Sequence, residues 1–135
     1  MTAADPLRVA MLTYSVRPRG GVVHAIAVAE ALAARGHAVE LFAVGPPGAA
    51  FFRAPEVPAA VVPHEPPPDT GFDAKIASTI ATYRDGLRPI LRDGAFDVVH
   101  AQDCISANAA LALRDEGLIP AVILSLIHIS EPTRP

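Results

Sequence analysis

Three side chains that can hydrogen-bond or move a proton stand almost side by side at His100, Gln102 and Asp103, at the end of an apolar run. An imidazole, an amide and a carboxylate in one place suit a polyhydroxyl ligand, with proton transfer open to the histidine. The same residues also have a purely structural reading, in which Asp103 caps a following helix and His100 is a satisfied core residue. A second candidate is the pair Gly20 and Gly21, which precedes an Ala-rich segment. The start of a helix offers free N–H groups and the positive end of its dipole, which suits a phosphate. Without Cβ atoms the pair lets a ligand approach the backbone closely. A tight strand-to-helix turn with positive φ explains the same glycines, so both readings stand. His24 follows within one helical turn and faces either a ligand cleft or solvent.

Other reactive residues fit bland roles better. Cys104 is the only cysteine, which excludes an internal disulfide and a multi-cysteine metal site. It lies near a helix start, where a thiolate is favoured, but no Cys-His-acid triad can be assigned, and a buried, inert thiol is expected. Arg84, Arg88 and Arg92 recur every four residues. They suit acidic lipid headgroups, yet Asp85 and Asp93 beside them favour a solvated face. There is no G-x-G-x-x-G fingerprint and no acid at the end of the second strand, which argues against a nicotinamide dinucleotide. A phosphate-binding G-x-x-x-x-G-K-[ST] loop is absent as well.

These residues need a scaffold, and the patterning supplies one. The chain has 135 residues, 51% of them hydrophobic, which supports one modest domain with a real core. Apolar runs at 8–14, 38–44 and 96–101 read as buried strands, with a further core strand starting at 121–123 and a short edge strand at 59–62. Val22 to Arg35 reads as a helix with Gly36 as its glycine stop, and Ser106 to Glu116 as a second one stopped by Gly117. Ile76, Ile80, Tyr83, Leu87 and Ile90 share one face of a helix over 75–92, whose last turn Gly86 and Pro89 should kink or fray. The Pro-rich stretch from Gly45 to Gly71 is mostly irregular. Alternating strands and helices imply an α/β, Rossmann-like, doubly wound and mainly parallel sheet. Ligands in such sheets sit beyond the carboxyl ends of the strands, where the candidate loops fall.

Net charge is -3, so the overall field does not favour nucleic acid or an anionic membrane. Met1 to Leu7 lacks the basic and apolar regions of a signal peptide, and the apolar stretch 22–34 is too short to span a bilayer. A cytoplasmic protein is expected, with contact at the inner face of the membrane left open.

Two motifs, in order, carry a family resemblance. Gly20-Gly21-Val22-Val23-His24 runs on to Ala29-Glu30-Ala31-Leu32-Ala33-Ala34-Arg35-Gly36-His37-Ala38-Val39. Phe96-Asp97-Val98-Val99-His100-Ala101 follows further on. Together they resemble the N-terminal domain of retaining, family-4-type glycosyltransferases, over about Arg8 to Ile123. The resemblance implies the first half of a GT-B architecture, two Rossmann-like domains facing across a cleft. It implies a nucleoside-diphosphate sugar as donor, no cofactor and no catalytic metal, and an acceptor hydroxyl on a small molecule, glycan or lipid. It places Gly20 and Gly21 near the donor diphosphate and His100, as the tentative catalytic group, near the acceptor with Gln102 and Asp103. Many members carry a histidine where Gln102 stands, and glutamine cannot serve as acid or base. The donor-side second domain is missing, so the fragment itself is expected to be inactive. A non-catalytic Rossmann-type ligand-binding module is the alternative. The body is rich in Ala, Arg, Pro and Gly, and the last segment, Leu124 to Pro135, breaks that bias with no Ala, Gly or Val. Leu124 to Arg134 resembles translated transposase-adapter DNA residue for residue. The domain is therefore expected over 1–123, with 124–135 as an artefact tail.

Overall fold

The computed structural model describes residues 5–66, 68 and 70–124; all but the first residue of the adapter-like tail lies outside them. Among the described residues, five strands form one parallel sheet: β1 (Arg8–Leu12), β2 (Ala38–Gly45), β3 (Ala59–Pro63), β4 (Val98–Ala101) and β5 (Val122–Leu124), in the order β3-β2-β1-β4-β5. Three helices connect them: α1 (Gly20–Ala34), α2 (Phe72–Gly94) and α3 (Cys104–Asp115). The expected α/β, doubly wound sheet is what the chain forms.

The inner strands β1 and β4, and most of β2, show no polar-apolar alternation because both faces are covered. Val9 and Met11 of β1 pack with Val39, Leu41 and Val98 against Val22, Ala25, Ile26 and Ala29 of α1. Ala10 and Leu12 point the other way. They join Phe42, Val44, Val99 and Ala101 under Tyr83 and Leu87 of α2 and Ala110 and Leu113 of α3. Tyr83 is fully buried, and its hydroxyl donates to the Phe42 carbonyl at 2.9 Å. Burial pushes the phenol pKa upward, with the negative charge of Asp103 adding to the rise.

Two glycines stop helices as expected. Gly36 (φ 98°) and Gly117 (φ 81°) take the left-handed conformation. Each is followed by a residue whose N–H reaches back into the helix, His37 to the Leu32 carbonyl and Leu118 to that of Leu113, the Schellman arrangement. His37 then accepts the Leu7 N–H at 3.0 Å, so the Arg-Gly-His turn anchors the start of β1. Asp97, at the head of the Asp-Val-Val-His strand, accepts the Arg8 N–H at 2.8 Å and ties β4 to β1.

Several boundaries differ from expectation. β1 ends at Leu12 and β4 begins at Val98, both shorter than their apolar runs. Helix α1 begins at Gly20, so the glycine pair is its first turn and not a loop, and neither glycine has positive φ. Helix α2 runs unbroken through Gly86 and Pro89 to Gly94. Burial of Leu87 and Leu91 on either side of Pro89 holds the turn that the proline weakens. Gly86 has a packing reason: a Cβ there would stand 2.5 Å from Cγ1 of Val62 on β3. It is a point of close helix-to-strand approach, not a hinge.

The Pro-rich segment after β2 is fastened to α1 by Glu30. Its carboxylate takes two hydrogen bonds from Arg53, both 2.8 Å, and one from the Glu56 N–H at 2.8 Å. The Arg53 contact, helped by that N–H, holds the Glu30 pKa down at about 2, against an ordinary 4.5. An acid whose folded pKa is depressed adds stability above its unfolded pKa and loses it as pH falls through the folded value. Glu30→Gln should therefore flatten the loss of stability between pH 4.5 and about 2. The effect should be modest, since the Arg53 side chain is 44% exposed. Urea midpoints across that range check it; an unchanged slope would show that the clasp carries no folding energy.

Candidate functional site

Strands β1 and β4 are neighbours, but their connections leave to opposite faces, β1 through α1 and β4 through α3. Their carboxyl ends therefore open at the switch point of the sheet, where ligands of such folds enter. Thr13 and Tyr14 lie just beyond β1, Gln102 and Asp103 just beyond β4. The Gln102 N–H donates to the Leu12 carbonyl at 3.1 Å, which extends the ladder into the site.

Asp103 works inside the protein. One carboxylate oxygen accepts the Ser106 N–H at 2.8 Å and caps α3. The other accepts the Tyr14 N–H at 3.0 Å, with the Thr13 hydroxyl at 3.5 Å. Burial raises its pKa, and these hydrogen bonds pull it back. The cap is the reading that the Asp-x-x-Ser spacing permits. The grip on the β1 loop is invisible in the sequence, because its partner is 89 residues away.

Gln102 is buried. Its amide nitrogen stands 3.2 Å from Nε2 of His100 and 3.4 Å from the Met11 sulfur. A hydrogen bond to His100 requires the ring to accept at Nε2 and carry its proton on Nδ1. The Gln102 amide oxygen is buried with no hydrogen-bond partner among the described residues. His100 itself is half-buried, and its side chain follows that of Val98 to the α1 face. Burial, and then the charge of His24, lower the His100 pKa, which favours a neutral ring at pH 7. His24 is exposed, but that interaction puts it within electrostatic reach of His100.

The structure thus brings His100 and Gln102 together, leaves His24 exposed on the first turns of α1, and bonds Asp103 to the start of α3 and to the β1 loop. Gly20 and Gly21 form the turn of α1 just before His24. Among the described residues no side chain caps this helix, its first turn has no acidic residue, and a Cβ on Gly20 would meet nothing within 4 Å. The turn is open and its N–H groups are not used by a cap. Cys104, expected to be buried, is exposed in the first turn of α3. Arg84, Arg88 and Arg92 are all ion-paired, with Asp85, Glu116 and Asp93 as partners, so the stripe is a solvated, salt-bridged face. Among the described residues, no group of three or more His, Cys, Asp or Glu could hold a metal ion.

A five-stranded parallel sheet in this order, covered by helices on both faces, belongs to the class of Rossmann-like α/β domains. Within that class, the chain belongs to Glycosyltransferase Family 4, whose family model matches residues 18–126. No curated protein matches the chain in sequence. Among solved structures, the chain resembles the C-terminal domain of a hydrogenase from Pyrococcus furiosus, with 14% identity, TM-score 0.71, and coverage of 93% of this chain and 96% of that one. It also resembles sucrose-phosphate synthase from Thermosynechococcus elongatus, with 15% identity and TM-score 0.64, covering 82% of this chain and 30% of that one. A third similar structure is LpCGTa in complex with UDP, with 18% identity, TM-score 0.61, and coverage of 89% and 30%. At these identities the likeness is one of fold. The chain spans about a third or less of the two longer proteins.

Proposed function

We propose that this domain is the acceptor side of a retaining glycosyltransferase that moves a sugar from a nucleoside-diphosphate sugar to an acceptor hydroxyl. Family membership supports sugar transfer. The observation that carries the finer reading is the uncapped first turn of α1, open at Gly20, in a domain whose switch point holds His100 against Gln102 at 3.2 Å. The unused N–H groups of that turn suit the charge that grows on a leaving diphosphate. A neutral His100, held by Gln102 at Nε2, offers its Nδ1–H to an acceptor oxygen and so orients the hydroxyl. In this reading Gln102 and Asp103 act indirectly, Gln102 by fixing the ring and Asp103 by fixing the β1 loop. No cofactor or metal enters. Any acceptor, be it a small molecule, a glycan or a lipid, takes its place beside these groups. Among the described residues no helix is long and apolar enough to cross a membrane. A cytoplasmic setting, with any membrane contact peripheral, is part of the same proposal.

The test uses an enzyme in which this domain is joined to a donor-side domain. Gly20→Val should lower kcat/KM at least about tenfold, because a side chain intrudes on the phosphate. The melting temperature should hold, since the added atoms meet open space. His100→Ala should lower turnover and leave nucleotide binding in place. Full activity in a folded Gly20→Val enzyme would remove the diphosphate role. The 135-residue chain by itself should transfer no sugar.

A further inference from the structure

A second opening at the carboxyl ends of the strands differs in character from the histidine pair. It is a cavity of about 250 Å³ bounded by the loop after β1, the end of β2, the residue after β3, and the flanks of α2 and α3. Arg17, Arg19, His64, Tyr14, Ser15 and Thr79 supply its polar lining, and among the described residues no acidic one lines it. Most other arginines of this protein are already paired. Arg8, Arg53, Arg84, Arg88, Arg92 and Arg114 each pair with a carboxylate. Among the described residues Arg17, Arg19 and Arg35 have no such partner, and of these Arg17 and Arg19 line this cavity. Both are exposed at the mouth of one cavity, in a chain whose net charge is -3. His64 stands beside them, its Nε2 3.5 Å from the Ser78 hydroxyl.

We infer that this cavity takes a phosphate or a comparable anionic group carried by the acceptor. The inference rests on the glycosyltransferase reading and narrows its acceptor to an anionic class. Two guanidinium groups offer forked donors matched to phosphate oxygens, and a walled cleft of one sign concentrates their field. Arg17 and Arg19 are separated by one residue on the loop that leads into Gly20, so the anion would be held close to the turn assigned to the donor. The pocket lies on the α2 and α3 side, away from the α1 face that His100 occupies, which lets one ligand present a charged end to the arginines and a hydroxyl towards the histidines. The donor diphosphate is the other source of the same chemistry.

Amide NMR of the chain, titrated with inorganic phosphate, a hexose phosphate and UDP in turn, separates these sources. Saturable shifts with phosphate and with hexose phosphate are expected at Tyr14 to Arg19, His64 and Thr79. Affinity for both should fall about tenfold or more in the Arg17→Gln, Arg19→Gln double variant. It should be unchanged in Arg84→Gln, whose arginine is already paired. UDP should shift Gly20, Gly21 and Val22, and should bind as well to the double variant as to the parent. No saturable response to the two phosphates, or a response indifferent to both arginines, overturns the site. UDP binding that is stronger than hexose phosphate binding and lost in the double variant assigns the arginines to the donor and overturns an anionic acceptor. Phosphate binding with no response to UDP leaves the anion site standing and counts against the diphosphate role of the Gly20–Gly21 turn.

Discussion

Replacing Asp103 with alanine should destabilise the fold by about 2–4 kcal/mol, the sum of a lost helix cap and a buried donor left unpaired. The carboxylate serves two elements at once. It ends the free N–H run of α3 at Ser106, and it holds the Tyr14 N–H of the β1 loop. Removing it frees both at the junction of the two central strands. Asp103→Asn keeps one accepting oxygen and turns an NH2 group towards one of the two donors, so it should lose part of the stability and not all of it. Urea unfolding of the three proteins, read at Tyr fluorescence and at far-UV ellipticity, measures this. A midpoint in the alanine variant equal to that of the parent would show that neither hydrogen bond matters to folding. The raised pKa adds a pH signature. An acid whose folded pKa is raised favours the native state at low pH, and that contribution is lost as pH rises from its unfolded to its folded value. This runs opposite to the Glu30 effect.

Gly86→Leu should cost about 3 kcal/mol by overpacking the seam between α2 and β3. Even a Cβ falls 2.5 Å from Cγ1 of Val62 and 3.3 Å from Cγ2, and Val62 is itself buried. A valine cannot swing a long flexible end away, so either the helix or the edge strand must shift. Gly86→Ala is the milder case: the clash is smaller, and alanine regains about 1 kcal/mol of helix propensity. The Val62→Ala variant clears the space. In a double-mutant cycle, Gly86→Ala should be less harmful in that background, by about 1 kcal/mol or more. Additivity within error would mean that the two elements do not meet as described.

Much of the scaffold was legible because it follows from local pattern. Continuous apolar runs at β1, β2 and β4 mean strands covered on both faces, and the two core clusters are that covering. Gly36 and Gly117 were readable as stops because a left-handed residue after a helix is a local need. Gly86 misled because its helix-breaking tendency is also local, whereas its use, close approach to Val62, is tertiary. Cys104 failed for the same reason, since burial of a thiol depends on what packs over it. At the site, the chemistry of His100 and the glycine turn could be suspected from residue type and position. The burial of Gln102 could not, because it depends on Met11, 91 residues away. Nor could the clasp of Glu30, whose partners lie in the Pro-rich loop. The arginine pair of the second cavity stands out only once the fold brings Arg17 and Arg19 to the same opening as His64 and Thr79.

The strand order also dictates a schedule for synthesis. β1 lies at the centre of the sheet, paired through Val9 and Leu12 with Val98 and Ala101. Its other neighbour, β2, is complete once Gly45 has left the ribosome. For the time it takes to add the residues from there to β4, the inner edge of β1 is open and its N–H and C=O groups are unmet. At about 5–20 residues per second this interval lasts several seconds, long beside the microseconds of helix formation. The nascent β1-α1-β2 unit is therefore the species in which a chaperone, or a neighbouring nascent chain, finds an exposed sheet edge.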